Sequence, residues 1–199
     1  MSLVRTSLVV AIALLAAACS PATPLDSAAA PDPTPSLTAA ESADASETAA
    51  PTDEPAAGDA LLDYELVDVR SGETFTLADL SADKPVLLET MAIWCTTCLS
   101  QQREVVRAHQ LTEFHSVGID VDPNERAPDL AAYAEREGFD WRFVLADREL
   151  VSLLTERFGF QVTNPPSTPT FVIRDGMVRA LEFGRLRSAE ELVDELAAG

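Results

Sequence analysis

Basic residues are scarce in this chain. Its 199 residues include 14 Lys and Arg against 33 Asp and Glu, so the formal net charge is −19. No basic residue occurs between Arg5 and Arg70, while acidic residues accumulate there. Nucleic-acid binding requires clustered Lys and Arg. The composition therefore excludes nucleic acid as a partner.

Cysteine is also rare. The chain has three cysteines, Cys19 near its start and the closely spaced Cys95 and Cys98. A small protein that depended on disulfides for its stability outside the cell would need more pairs. We therefore expect no framework of structural disulfides, and we expect the internal pair to be reactive.

The N-terminal hydrophobic run is too short for a permanent membrane span. It is uncharged from Thr6 to Ala18, whereas a transmembrane helix needs roughly 20 residues. A single basic residue, Arg5, precedes the run, and small residues end it. This pattern is typical of a secretory signal, which we assign to residues 1–18.

The end of this signal resembles the bacterial lipoprotein cleavage box. It reads Leu15-Ala-Ala-Ala-Cys19, although the usual leucine three residues before the cysteine is replaced by Ala16. The resemblance implies that Cys19 is lipidated and that the protein is extracytoplasmic and anchored to the cell membrane. The alternative is ordinary signal cleavage, which would leave Cys19 as a stray thiol.

Large apolar residues are almost absent from residues 19–60, which consist mainly of Ala, Pro, Ser, Thr, Asp and Glu. Such a segment cannot bury enough surface to offset its ordering entropy. We predict a disordered linker of roughly 40 residues, which as a random coil spans on the order of 35 Å. Residues 61–199 are predicted to form a single domain.

Periodicity in this domain predicts an α/β fold. The predicted strands are 64–69, 73–76, 85–91, 115–121, 141–145, 170–174 and 177–183. The predicted helical segments are 77–80, 98–110, 127–137, 148–158 and a last helix capped by Ser188. After an opening hairpin, the order is β-α-β, an insertion, then β-β-α. This order is that of a thioredoxin fold.

The Cys95-Thr-Thr-Cys98 motif lies at a predicted strand-to-helix junction. Unpaired amide groups and the helix dipole stabilise a thiolate at such a junction. We therefore predict that Cys95 is the nucleophile and that Cys98 resolves the mixed disulfide. Half of a zinc site is the alternative, but there is no second cysteine pair, and His109 and His115 lie elsewhere. We expect no metal or other cofactor.

Three stretches resemble the thioredoxin-like disulfide reductases of the TlpA/ResA type, in the redoxin superfamily. They are Val86-Leu-Leu-Glu-Thr-Met-Ala-Ile-Trp-Cys-Thr-Thr-Cys98, Gly118-Ile-Asp-Val-Asp122 and Thr168-Pro-Thr-Phe-Val-Ile173. The resemblance covers residues 62–198. It implies a central mixed sheet flanked by helices, an N-terminal hairpin and a βα insertion before a cis-proline loop.

The resemblance also implies roles for single residues. Pro169 matches the cis-proline beside the dithiol, and Thr168 would offer its main chain to an extended substrate. Trp94 matches the tryptophan that flanks the nucleophile. Glu89 matches the buried acid of thioredoxin, and burial would raise its pKa so that it could carry the proton of Cys98. The alternative is a Glu89 side chain that reaches solvent at a strand edge.

The predicted function is reduction of disulfides in exported proteins, with apocytochrome c as one candidate substrate. A membrane electron donor would recharge the dithiol, and we expect the protein to be a monomer. The Thr96-Thr97 dipeptide does not indicate the redox poise, so a disulfide-forming oxidant is an alternative. A thiol peroxidase using Thr97 and Arg103 is another alternative. A metal or haem chaperone ranks last, because only Met91 could supply an extra ligand.

Overall fold

The structure is a computed structural model that describes residues 59–198. The predicted signal of residues 1–18, Cys19 and residues 20–58 of the predicted linker lie outside the described residues. No helix within residues 59–198 is both long and apolar enough to cross a bilayer.

Strands and helices alternate along the described chain. The strands are β1 (Leu66–Val67), β2 (Thr74–Phe75), β3 (Val86–Met91), β4 (His115–Asp120), β5 (Arg142–Leu145), β6 (Thr170–Arg174) and β7 (Met177–Ala180). The helices are α1 (Leu77–Asp83), α2 (Thr96–Ala108), α3 (Ala127–Glu137), α4 (Arg148–Phe158) and α5 (Ala189–Ala197). Two short 3₁₀ turns, Phe160–Thr163 and Pro165–Ser167, connect α4 to β6.

Five strands form one mixed sheet in the order β5-β4-β3-β6-β7. β3, β4 and β5 are parallel, while β6 and β7 run antiparallel to their neighbours. β1 and β2 form a separate antiparallel pair, the predicted opening hairpin. All six residues of β3 are buried, as expected for the centre of the sheet. β3 is the central strand, so its carboxyl end lies at the middle of the side of the sheet where the parallel strands end. Ligand sites of α/β sheets commonly lie at this side.

The sheet is covered on both faces. Alternate residues of β3 point to opposite sides, so Leu87 and Met91 pack with α2, α3 and α5, whereas Val86 and Leu88 pack with α1 and α4. The two faces bury two separate apolar clusters, and the cysteine pair belongs to the first of them. Between β4 and β6 lie α3, β5, α4 and the two 3₁₀ turns, and β5 adds one parallel strand to the sheet.

Most predicted elements match the observed bounds. The helix predictions 127–137 and 148–158 and the strand prediction 170–174 are confirmed. α2 begins two residues before its predicted start, because Cys95 itself caps the helix. α1 continues to Asp83 instead of ending after one turn, and β7 ends at Ala180 instead of reaching residue 183.

The predicted cis bond before Pro169 is wrong. Residues 59–198 contain no cis peptide bond. Instead, Thr168 adopts the left-handed conformation, with φ 45° and ψ 58°. This conformation turns the chain from the 3₁₀ turn Pro165–Ser167 into β6, so the change of direction is made by rotation at Thr168 rather than at the peptide bond.

Candidate active site

The dithiol lies at the carboxyl end of β3. A turn formed by residues 92–95, closed by the Cys95 N–H donating to Ala92 O at 3.0 Å, leads from the strand into α2. Cys95 is the N-cap of α2, and its Sγ accepts the N–H of Cys98 at 3.0 Å. A sulfur that caps a helix in this way is stabilised as a thiolate by the N–H group and by the helix dipole. This geometry fits Cys95 as the nucleophile.

Cys95 and Cys98 are joined by a disulfide, with their Cα atoms 5.3 Å apart. The structure is therefore that of the oxidised protein. The two residues are only 2 % and 3 % exposed. Trp94, the residue before them, is 56 % exposed and marks the side from which the dithiol can be approached.

Cys98 has a partner that sequence reasoning did not find. Its Sγ lies 3.2 Å from Pro165 O, in the 3₁₀ turn before β6. In the reduced protein the Cys98 thiol can donate a hydrogen bond to this carbonyl. A hydrogen bond that favours the neutral form raises a thiol pKa. This contact is compatible with the predicted role of Cys98 as the resolving thiol.

Glu89 lies on β3 and is buried rather than solvent-facing. Burial raises the pKa of Glu89 to about 8, and its Oε1 meets no hydrogen-bond partner among the described residues. A cavity of about 10 Å³ lies between Glu89, Cys98 and Gln101, with Thr168 and Thr170 on its other side. This volume is close to the space that one water molecule needs. The cavity therefore provides a place where a proton could pass between Cys98 and Glu89.

Thr168 and Pro169 lie beside this cavity, and their main-chain groups are engaged within the protein. The Thr168 N–H donates to Pro165 O at 2.8 Å, and the Thr168 carbonyl accepts the Thr170 hydroxyl at 3.0 Å. The Pro169 carbonyl accepts the Thr90 N–H at 3.1 Å. In this conformation Thr168 shapes the floor under Cys98, and it does not present a free main-chain edge.

The chain matches no known protein-family model and no curated protein sequence. Among solved structures, a secreted Mycobacterium tuberculosis disulfide oxidoreductase homologous to E. coli DsbE matches 71 % of this chain and 100 % of its own, with 18 % identity and a TM-score of 0.56. A thiol:disulfide interchange protein from Chlorobium tepidum matches 67 % of this chain and 90 % of its own, with 23 % identity and a TM-score of 0.53.

A third match is a SCO1/SenC family lipoprotein from Bacillus anthracis, which has 14 % identity and a TM-score of 0.52. It covers 67 % of this chain and 90 % of its own. The strand order of the sheet and the matches to these solved structures indicate the same fold. The domain has a thioredoxin fold. At these identities the similarity establishes the architecture, and the chemistry has to be argued from the site itself.

Acids from the loop after β4 hold the turn that precedes the nucleophile of this thioredoxin fold. The Ile93 N–H donates to both carboxyl oxygens of Glu125, at 3.1 and 3.0 Å. The Trp94 indole N–H donates to Asp122 Oδ2 at 2.6 Å. Both central residues of the turn are therefore fixed by carboxyl groups. Sequence reasoning missed these roles; the available signal was a pair of acids, Asp120 and Asp122, at the end of a buried strand.

A groove of about 240 Å³ runs beside Trp94 and could admit an extended chain. Its walls come from the loop after β4 and from the segment that leads to β6. They include Val121, Pro123, Thr163 and Pro165, with Asp122 at the edge. Asn124 and Thr163 add polar groups to the apolar surface of the walls, so the groove could contact both apolar side chains and the main chain of a protein substrate.

The residues considered for a zinc site, a thiol peroxidase or a metal chaperone make contacts that differ from those functions. The His109 ring stacks on Phe114 and its Nε2 lies 2.9 Å from Ser116 Oγ, while His115 contacts Asp83. Within residues 59–198 no group of three or more His, Cys, Asp or Glu is placed to hold a metal ion. Arg103 is directed to Glu137 on α3. Met91 is completely buried in the first apolar cluster.

Proposed function

We propose that this chain is an extracytoplasmic thiol–disulfide oxidoreductase that reduces disulfides in exported proteins. The observation that carries the proposal is the different environment of the two sulfurs. Cys95 Sγ accepts an N–H at the start of α2, whereas Cys98 Sγ lies against a carbonyl and above a cavity that contains Glu89. The environment of Cys95 therefore favours the thiolate that attacks, and the environment of Cys98 favours the protonated thiol.

The reaction begins with the reduced protein. The Cys95 thiolate attacks a substrate disulfide, a mixed disulfide forms, and one substrate sulfur leaves as a thiolate that takes up a proton. Glu89, ionised in this reduced state, then takes the proton of Cys98, and the Cys98 thiolate attacks Cys95 Sγ. The second substrate sulfur leaves as a thiolate and takes up a proton from solvent, and Glu89 is left protonated beside the new disulfide. Two electrons have passed to the substrate, and the protein is left with the Cys95–Cys98 disulfide observed here.

A second dithiol must then reduce this disulfide. The acidic linker and the export signal of the sequence support a donor at the outer face of the membrane, and they support exported proteins, apocytochrome c among them, as substrates. The groove beside Trp94 is large enough to hold a few residues of an unfolded substrate chain around its disulfide.

Substrate trapping tests the assignment of the two cysteines. We expect Cys98→Ser to accumulate mixed disulfides with disulfide-containing substrates such as insulin, because it keeps the attacking thiolate but cannot resolve the product. Cys95→Ser should neither reduce nor trap. Both variants should be compared by non-reducing electrophoresis after acid quenching. Equal trapping by the two variants would contradict the assignment.

The reduction potential of the pair separates a reductase from an oxidant. A reduction potential of about −270 mV is typical of thioredoxin, and one of about −120 mV is typical of a strong oxidant. We expect equilibration with glutathione or dithiothreitol to place Cys95–Cys98 close to the thioredoxin value. A potential near that of the strong oxidants would favour disulfide formation as the function.

A further inference from the structure

Asp120 is a buried acid that the reaction described above does not use. It is the last residue of β4, it is completely buried, and it pairs in register with Met91 at the end of β3. Its Oδ1 accepts the Asp122 N–H at 3.0 Å. Its Oδ2 meets no donor among residues 59–198, and the Asp120 side chain lies within hydrogen-bonding range of the Glu125 carboxyl group. A buried carboxylate oxygen is stable in such a place only if a proton lies between the two groups.

Glu125 joins this acid to the turn that carries the nucleophile. Both of its oxygens accept the Ile93 N–H, and the same turn is closed by the hydrogen bond from Cys95 to Ala92. A proton shared with Asp120 satisfies the otherwise unpartnered Oδ2 and leaves Glu125 able to accept from Ile93. A single proton therefore completes a chain of contacts from the end of β4 to Cys95.

We propose that Asp120 and Glu125 share one proton and act as a positioning pair, which fixes the turn of residues 92–95 and limits the negative charge beside Cys95. The role of Cys95 as nucleophile rests on the proposed function. The sharing of the proton stands on the contacts of Asp120 and Glu125 alone.

The charges and burial around Asp120 and Glu125 favour the state in which the pair holds one proton over the state in which both carboxyl groups are ionised. Burial and the neighbouring Glu125 raise the pKa of Asp120 to about 8, and Asp122, kept ionised by hydrogen bonds from Asn124 and Trp94, adds to the repulsion. The nearest base along the chain, Arg126, is directed outward to Asp129 at 2.9 Å. The buried titratable groups on the adjoining elements are Glu89 on β3, Cys95 and Cys98 at the start of α2 and Tyr133 on α3. The charged side chains farther along α2, on α3 and on β5 are exposed or only partly buried.

Loss of the shared proton changes the turn in two ways. Two carboxylates in contact repel each other, so Glu125 shifts relative to Asp120 and the acceptor of the Ile93 N–H moves with it. A second negative charge also appears beside the turn, and like charges disfavour the Cys95 thiolate. At alkaline pH, loss of this proton therefore changes both the position of the turn of residues 92–95 and the reaction rate of Cys95.

The amide of Ile93 reports this proton directly. In the reduced wild-type chain, we expect the Ile93 amide resonance in ¹⁵N-edited NMR to titrate in one alkaline step. Asp120→Asn and Glu125→Gln should both abolish the step while leaving the shift near its neutral-pH value. In each variant a side-chain amide replaces the shared proton with an N–H that does not titrate. Having two such variants covers the case in which one of them folds poorly.

Glu89→Gln and Asp129→Asn are the matched controls, and both should retain the Ile93 step. The rate constant for alkylation of Cys95 by iodoacetamide, measured on the same samples, should show a component at the pH of the Ile93 step. This component should be lost in Asp120→Asn, while the main ionisation of Cys95 remains.

An Ile93 amide that does not titrate in the wild type, or that titrates equally in Asp120→Asn, overturns the proposal. So does a step that disappears in Glu89→Gln. A Cys95 that is inert to alkylation in the wild type, with the Ile93 step intact, contradicts the proposed function instead and supports the proton sharing.

Discussion

A carboxyl group that folding removes from water makes the stability of a protein depend on pH, and Glu89 is such a group. Its burial raises the pKa to about 8 from an ordinary value of 4.5. Between these two values the folded chain holds a proton on Glu89 that the unfolded chain has released. The folded state therefore binds more protons, and stability falls as the pH rises through this range.

We expect the oxidised wild-type protein to lose about 2 to 4 kcal/mol of unfolding free energy between pH 5 and pH 8 through Glu89. Glu89→Gln should lack this contribution, because glutamine does not titrate, while the pH dependence due to Asp120 remains in both proteins. Urea denaturation at a series of pH values measures the difference between the two proteins. Glu65→Gln, at an exposed position, is the control for removal of a charge. Parallel pH profiles for the wild type and Glu89→Gln would show that Glu89 ionises without a penalty.

The same substitution tests whether Glu89 takes the proton of Cys98, which stays a prediction. Resolution of the mixed disulfide should slow by roughly 10 to 100-fold at neutral pH, which lies at or somewhat below the lower end of the range for general-base catalysis. The first attack by Cys95 should change little. Rapid mixing followed by Trp fluorescence separates these two steps.

At the scale of elements, the packing of β4 against β5 depends on a residue without a side chain. Gly118 on β4 lies opposite Glu89 on β3. A Cβ atom built on Gly118 would come within 2.7 Å of the Phe143 ring on β5. The ring and the edge of β4 therefore fit together only because residue 118 is glycine.

We expect Gly118→Ala to destabilise the protein by about 1 to 3 kcal/mol, because a methyl group forced into a packed core displaces the Phe143 ring. In the Phe143→Leu background, which makes room for the methyl group, the same substitution should be less harmful. A double-mutant cycle in urea measures this coupling. If the effect of Gly118→Ala were equal in both backgrounds, the cause would lie in the backbone rather than in the ring.

Local signals in the sequence were enough to predict the helices. α4 begins where Asp147 accepts the Leu150 N–H and ends at Gly159, and α5 begins with a capping box formed by Ser188 and Glu191. Each of these contacts joins residues a few positions apart. They can therefore be recognised without knowledge of the fold.

The parts of the site that escaped prediction depend on distant contacts. The bond from Ile93 to Glu125 spans 32 positions, and the approach of Cys98 to Pro165 spans 67. Neither is encoded in a short motif. The trans bond before Pro169 was missed for a related reason, because the left-handed turn at Thr168 follows from its packing between Pro165 and Arg185.

At the scale of the whole molecule, the charge is strongly negative, with a formal value of −19, and eight of the 33 acidic residues precede the folded domain. The proposed function places the domain outside the cytoplasm, at the end of a linker that begins at Cys19. A lipid on Cys19 would keep the dithiol close to a membrane donor, while the linker would let the domain reach exported chains.

This arrangement predicts a change of compartment on substitution of one residue. Wild-type protein expressed with its own signal should enter the detergent phase on Triton X-114 partitioning, and Cys19→Ala should move it to the aqueous phase. Cys95→Ser, which leaves the anchor unchanged, should partition like the wild type. Recovery of the exported wild type in the aqueous phase would point to ordinary signal cleavage.

The close covering of the oxidised pair has a consequence for how the protein exchanges electrons. Because Cys95 and Cys98 are only 2 % and 3 % exposed in the oxidised pair, small thiols such as glutathione should reach equilibrium with this disulfide slowly. A partner that first docks on Trp94 and its groove gains the access that diffusion alone does not provide. Whether the Cys95–Cys98 pair is oxidised or reduced would therefore be determined by the proteins that dock on it rather than by the small thiols of the surrounding redox buffer.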